Sequence, residues 1–399
     1  MSRPSPLHLA VALDGAGWHP AAWREPLAQP ADLLTPGYWA GLAAEAERGL
    51  LDFVTIEDSL GLQSSRRLEP DRRTDQVRGR LDAALIAARI APLTSRIGLI
   101  PAVTATHTEP FHVSKAIATL DYVSGGRAGL RVQVSARPDE AALFGRRTMP
   151  RICVTGRDDP AVRRLAAGLF GEAADYVEVV RRLWDSWEDD AEIRDRATGR
   201  FIDRRKLHYI DFVGEHFSVK GPSITPRPPQ GQPVVAALAH GTEACRLVAR
   251  SADVGFVTPR DAGQARDIVA EVRREQAAAG RAGETVHLVA DLVVFLADDA
   301  AAAVARRARL DDLAGYPYTA DAAVFAGTPA QLADLLQDWQ ASGLAGFRLR
   351  PAAIPGDLVH ITTGLVPELQ RRGAFRHQYQ ASTLRGLLGL PRPVNRYAA

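Results

Sequence analysis

Hydrogen-bonding side chains stand at the close of several short apolar runs in this chain. Asp58 ends DFVTIED, Thr104 falls near the end of RIGLIPAVTA, and Ser135 ends GRAGLRVQVS. His240 follows PVVAALA, and Thr258 ends ADVGFVT. Where such runs are strands of a barrel, these positions crowd at one mouth, the place where barrel enzymes keep their chemistry. Asp58 has a plainer use as well, as an amino-terminal cap for a following helix. Other chemistries find no footing. The ten histidines form no H-x-H or H-x-x-x-H pair, so nothing suggests a mononuclear metal hydrolase, and no metal site is expected. Cys153 and Cys245 have no paired spacing, which leaves a disulfide framework and a cysteine zinc site without support. Gly15-Ala16-Gly17 lacks the third glycine of a dinucleotide-binding fingerprint.

The elements that must position these residues alternate between two periods. Short apolar runs at residues 7–13, 52–58, 96–105, 126–135, 233–239, 252–258, 286–296 and 346–351 are separated by helical patterns such as FHVSKAIATLDYVS and TPAQLADLLQDWQASG. Eight strand candidates in this rhythm predict an α/β fold, a (β/α)₈ barrel forming a single domain over residues 1–399. The rhythm breaks after the fourth strand. Residues 137–165, rich in Arg, Asp and Pro, read as an insertion or loop, and residues 196–231 as an excursion of short strands with a proline-rich return. Residues 376–399 read as an irregular tail. The 399 residues carry a net charge of +2 with no basic block, so nucleic acid is not an expected partner. No stretch approaches the roughly 18–20 apolar residues of a membrane span, and the start of the chain does not read as a signal peptide. The expected compartment is the cytoplasm.

Several segments carry a family resemblance. They are GWHPAAWR (17–24), AERGLLDFVTIEDSL, THTEPFHVSKAIATLDYVSGGRAG, and the block VEVVRRLWDSWEDDAEIRD…GRFID…KLHYIDFVGEHFSVKGP…PRPPQGQPV. In order, over roughly 370 residues, they resemble the bacterial luciferase-like flavin monooxygenases. The similar branch is the one containing nitrilotriacetate monooxygenase, dibenzothiophene-sulfone monooxygenase and pristinamycin synthase. The resemblance implies a two-component oxidoreductase. Reduced FMN, supplied by a separate flavin reductase, would react with O₂ as a flavin peroxide and pass one oxygen atom to a small organic substrate. It also implies a homodimer or homotetramer.

Residue by residue, the resemblance places Asp58 and Thr104 at the flavin, with Ser135 beside them. His19 would line the substrate side, and His112 and Trp23 would support loops or packing. Two positions depart from the family pattern. Where relatives carry a histidine and a tyrosine before the Val-Glu-Val-Val helix, this chain has Ala166 and Phe170, with Phe170 at the flavin position. His107, Arg146, Arg147 or Arg151 are candidates to replace the lost groups, and His107 joins His19 as a catalytic candidate. The family's Gly-Ser-Ser phosphate turn corresponds here to Ala239-His240-Gly241. His240 and Gly241 could still hold phosphate, through backbone N–H groups and a charged side chain. Arg348 and Arg350 could meet an anionic substrate, but barrel salt bridges are the favoured reading. Two alternatives follow from the same barrel. One is an F420-dependent oxidoreductase; the other is a non-catalytic barrel that binds flavin or a partner subunit.

Overall fold

The computed structural model describes residues 7–64, 66, 70–151 and 159–398. Eight strands form the centre: β1 (His8–Leu13), β2 (Phe53–Ile56), β3 (Gly98–Thr104), β4 (Gly129–Gln133), β5 (Val234–Leu238), β6 (Val254–Val257), β7 (His287–Leu296) and β8 (Gly346–Pro351). Each pairs in parallel with the next, and β8 returns to β1 with Gly346 opposite His8. The sheet is closed, as the eight apolar runs predict. Closure removes sheet edges, and side chains alternate between the interior and the helix layer.

The helices between strands are α1 (Pro36–Arg48), α2 (Ala83–Ile90), α3 (Pro110–Ser124), α4 (Pro138–Phe144), α5 (Pro160–Asp185), α6 (Thr242–Ser251), α7 (Ala262–Ala278), α8 (Ala300–Ala314) and α9 (Pro329–Gln340). Their starts are chemically marked. Asp82, Asp261, Asp299 and Thr328 each accept a backbone N–H of their helix's first turn. A ninth strand, Ala323–Gly327, pairs with the outer part of β7 and was not expected from the sequence.

Three irregular regions turn out differently in detail. The segment read as a loop after β4 contains α4, and α5 already begins at Pro160, inside that segment. The excursion holds two small antiparallel pairs, Glu192–Asp195 with Arg200–Ile202 and Phe212–Val213 with Ser218–Val219. The tail is not simply irregular. Its short helix Leu384–Leu387 carries Leu384, with Leu388 and Leu390 just beyond, into a cluster with Ala10, Phe53, Ile100 and Phe256 at the barrel floor. Burying each leucine contributes about 1.5–3 kcal/mol. Gly98 makes room for it: a Cβ there would stand 2.5 Å from a Leu384 methyl. Among the described residues, no helix is long and apolar enough to cross a membrane, and no cluster of His, Cys, Asp or Glu could hold a metal ion.

Candidate active site

Both faces of these strands are buried, and their charged residues find one another across the barrel interior. Glu57 accepts from Arg131 Nη2 at 2.5 Å, although β2 and β4 are separated by β3. Arg348 holds Asp291 through two bonds of 2.6 Å, reaches Glu57 at 3.1 Å and Thr55 at 3.2 Å, and lies 3.9 Å over the Phe256 ring. Arg350 pairs with Asp291 and Asp321 and lies 4.3 Å over Trp18. Burial alone would raise the carboxyls of Glu57 and Asp291, but the arginines outweigh it and hold both below their usual range. Arg348 and Arg350 are therefore barrel salt bridges, the reading favoured from the sequence. The signal was available: GLRVQ, TIED, VADLVV and RLRP each set a charge at the inward step of a strand.

At the mouth, two cavities flank this network. The first, of about 410 Å³, brings together Asp58, Thr104 and His107, with His112, Phe144 and Arg146 also on its wall. Its volume lies in the range of small-molecule sites. Loop positions after β2 and β3 aim these groups. The Asp58 carboxylate accepts the backbone N–H of Ser59 at 2.7 Å and of Ala83 at 3.0 Å. It therefore does cap the entry to α2, while burial raises its pKa. Thr104 is buried, and its backbone carbonyl accepts the Thr108 hydroxyl at 3.0 Å. The His107 ring stacks against Phe144 with centroids 5.3 Å apart and planes 8° from parallel. Its Nε2 is buried without a hydrogen-bond partner, and burial lowers its pKa, so the ring is neutral near pH 7. The His107 ring lines this mostly apolar cavity, and a buried polar atom without a partner is the kind of group that a ligand's polar edge satisfies. The donor set suits a flat, mostly apolar ring with hydrogen-bonding edges, as an isoalloxazine has.

The second cavity, of about 390 Å³, takes in Asp14, His19, Arg80 and Tyr318. His19 Nδ1 accepts the Ala21 N–H at 3.1 Å, so its Nε2 carries the proton toward Asp311 at 3.2 Å. Burial lowers its pKa too. Gly17 is fixed here by closeness, since a Cβ would lie 2.4 Å from the Ala352 carbonyl oxygen.

The other expected site residues lie apart from these two walls. Ser135 accepts the Arg137 N–H at 3.2 Å, and its own N–H donates to Thr106 at 2.9 Å. His240 is hydrogen-bonded to Thr258 and stands 3.6 Å from Asp321. Gly241 precedes α6 with φ of +81° and open space on its Cβ side. Phe170 is half-buried against the main core, on α5 with Ala166. Trp23 donates to the Asp75 carbonyl at 3.0 Å. Of the proposed substitutes, Arg147 is committed to Glu172 by two bonds of 2.6 Å, and Arg151 is exposed. Arg146 pairs with Glu109 and donates to the His107 carbonyl at 3.0 Å. Phe144, Arg80 and Asp14 were not singled out from the sequence. They come from segments with no motif, and only folding brings them to the mouth.

A larger cavity, about 730 Å³, lies at the opposite end of the barrel, between α5 and the tail. Its arginines are tied to carboxylates, Arg181 and Arg385 to Asp253 and Arg182 to Glu178, so it reads as a structural seam.

Comparison with known proteins places the chain among named relatives. The chain is 31% identical over 460 aligned positions to N-acetyl-S-(2-succino)cysteine monooxygenase of Bacillus subtilis (strain 168), spanning 100% of this chain and 99% of that one. It is 30% identical over 464 positions to nitrilotriacetate monooxygenase component A of Aminobacter aminovorans, spanning 100% and 99%. Among solved structures, a long-chain alkane monooxygenase superposes with a TM-score of 0.85 at 23% identity, covering 98% and 96% of the two chains, a likeness of fold. The luciferase-like monooxygenase model matches residues 19–346. The chain thus belongs to the luciferase-like monooxygenase family, as an enzyme of the flavin-dependent monooxygenase kind.

Proposed function

We propose that this protein is the oxygenase component of a two-component system, taking reduced FMN from a separate reductase and placing one atom of O₂ into a small organic substrate. The observation that supports this most directly is the 410 Å³ cavity with Asp58, Thr104 and the unpartnered Nε2 of His107 on its wall. Reduced FMN, when bound, supplies the reaction with dioxygen; the chain's own groups bind, orient and keep water away. Asp58 and Thr104 offer an acceptor and a hydroxyl to the polar edge of the ring. His107 offers a neutral imidazole nitrogen, and its stacking with Phe144 covers the ring's surroundings with apolar surface. Ser135 and the His240–Gly241 turn are assigned to the ribityl-phosphate end, where backbone N–H groups at the start of α6 favour an anion. Phe170 contributes apolar surface from α5. His19 is assigned to the substrate's side of the mouth, with its protonated Nε2 anchored on Asp311. One of the relatives named above is named as a component A, which supports the two-component reading.

The F420 reading draws less support. An F420-dependent secondary alcohol dehydrogenase superposes with a TM-score of only 0.61 at 14% identity. The proposal includes a cytoplasmic setting and a homodimeric or homotetrameric assembly. An anaerobic titration tests the core of it. Reduced FMN is expected to bind in the micromolar range, and admitting O₂ in a single turnover should give a flavin absorbance change that free flavin does not show. Absence of any flavin-dependent signal refutes the proposal.

A further inference from the structure

The two mouth cavities share a wall. Along the segment after β2, Asp58 and Leu60 line the apolar cavity, while Ser59, Leu62 and Gln63 line the other. The second cavity is different in kind. Gln63, Gln76, Tyr316 and Tyr318 give it hydrogen-bonding groups, and three charged residues stand on its wall: Asp14 and Arg80, which meet each other, and Arg137, which is paired with Asp139.

Arg80 is the unusual member. Its Nη2 donates to both Asp14 oxygens, at 3.0 and 3.1 Å. Its Nε is buried and has no acceptor. A guanidinium presents five N–H donors in a rigid fork, and leaving one of them desolvated and unpaired is unfavourable. The residue is held in this position from both sides. Gln63 exchanges two hydrogen bonds with the backbone of Gly79, accepting its N–H at 2.9 Å and donating to its carbonyl at 3.0 Å. Gln76 donates to the Tyr316 hydroxyl at 3.0 Å. Asp14, the counter-ion, is half-buried, and desolvation raises its pKa despite Arg80 beside it. The pair is thus under-satisfied on the cation's side and strained toward neutrality on the anion's side. An incoming oxyanion gives the Nε its missing acceptor, while its charge further favours the neutral form of Asp14.

We infer that this polar cavity receives a substrate bearing a carboxylate, which Arg80 takes at its unpartnered Nε edge. The inference rests on the oxygenase reading only for the statement that the cavity's occupant is the substrate. A carboxylate meets a guanidinium edge with geometry that a neutral amide cannot match. Anchoring one end of the molecule at Arg80 presents the remainder to the shared wall, beside the apolar cavity.

The test uses the whole protein, with succinate as the probe and succinamide as its uncharged counterpart, followed by calorimetry. Succinate is expected to bind and succinamide to bind at least tenfold more weakly. Arg80→Gln is expected to weaken succinate at least tenfold. Asp14→Asn, which removes the competing negative charge, is expected to tighten it severalfold. Equal binding of the two probes, or unchanged succinate binding in Arg80→Gln, overturns the inference. If Arg80→Gln does not fold by circular dichroism, Asp14→Asn decides alone, and unchanged or weaker binding there overturns it. Reduced FMN is titrated separately: a protein that binds succinate through Arg80 but no flavin keeps the anion site and loses the oxygenase reading.

Discussion

Asp58 carries two separable roles, and a pair of substitutions pulls them apart. As a cap it satisfies two backbone donors, Ser59 at 2.7 Å and Ala83 at 3.0 Å. Asp58→Ala deletes both acceptors, and the loss of such a cap costs about 0.5–2 kcal/mol. Asp58→Asn keeps one side-chain oxygen for Ala83, so part of the cap survives. It also removes a charge whose burial is unfavourable, as the raised pKa of Asp58 indicates. The expected stability change for Asp58→Asn is therefore close to zero, about 0.5 kcal/mol in either direction. Flavin binding should respond in the opposite pattern. A hydrogen bond to an ionised acceptor contributes about 1.5–3 kcal/mol, which is a factor of about 10–150 in Kd. Both variants are expected to lose that factor for reduced FMN. Urea unfolding gives the first quantity and anaerobic flavin titration the second. If Asp58→Asn binds reduced FMN as tightly as the unaltered protein, the carboxylate is a cap and nothing more, and its assignment to the cofactor is refuted.

Three further outcomes are expected. His287, packed against His8 and bonded to the Leu388 carbonyl at 2.7 Å, is held down to about 4 chiefly by burial. Because its folded pKa lies below the unfolded value, the unfolded chain takes the proton first as pH falls. Stability should then drop by at most about 3 kcal/mol between pH 6.5 and 4; a flat urea midpoint for this contribution, measured as the difference from His287→Gln, contradicts it. Arg348→Met leaves Asp291 and Glu57 with one arginine fewer each, and such a loss is expected to cost about 3–5 kcal/mol. Asp291→Asn in the same chain should restore part of it, and a strictly additive double variant would mean the two do not interact. Leu384→Ala opens the barrel floor and is expected to cost about 2–5 kcal/mol, with flavin binding unchanged because the site is at the other end. A loss within 0.5 kcal/mol would show that the tail does not seal the floor.

The barrel was legible because period is a local property. Each of the eight strands is an apolar run of the right length, and each intervening helix repeats its apolar residues every three or four positions. Helix starts were equally local, written as Asp or Thr before the first turn. Asp58 and Thr104 stand at strand ends, where the family resemblance assigned them to the flavin, and the fold sets them on one cavity with His107. Ser135, His240, Gly241 and Phe170 were named through the resemblance, yet their contacts lie elsewhere, because a matched position fixes where a residue sits along a strand or helix and not what its side chain meets. The short strand Ala323–Gly327 escaped notice since AVFAG has no period of its own and is ordered by pairing with β7. The tail's role was hidden likewise: Leu384, Leu388 and Leu390 look like scattered leucines until Gly98 and Phe53 are placed beneath them. Pairings across the barrel, such as Glu57 with Arg131 and Arg348, join residues 74 and 291 positions apart. Composition and period determined the alternation of strands and helices that a barrel needs, since burial of apolar area is additive and local in sequence. Which buried charges meet, and which donor is left without a partner, was decided only when closure brought distant strands within hydrogen-bonding range.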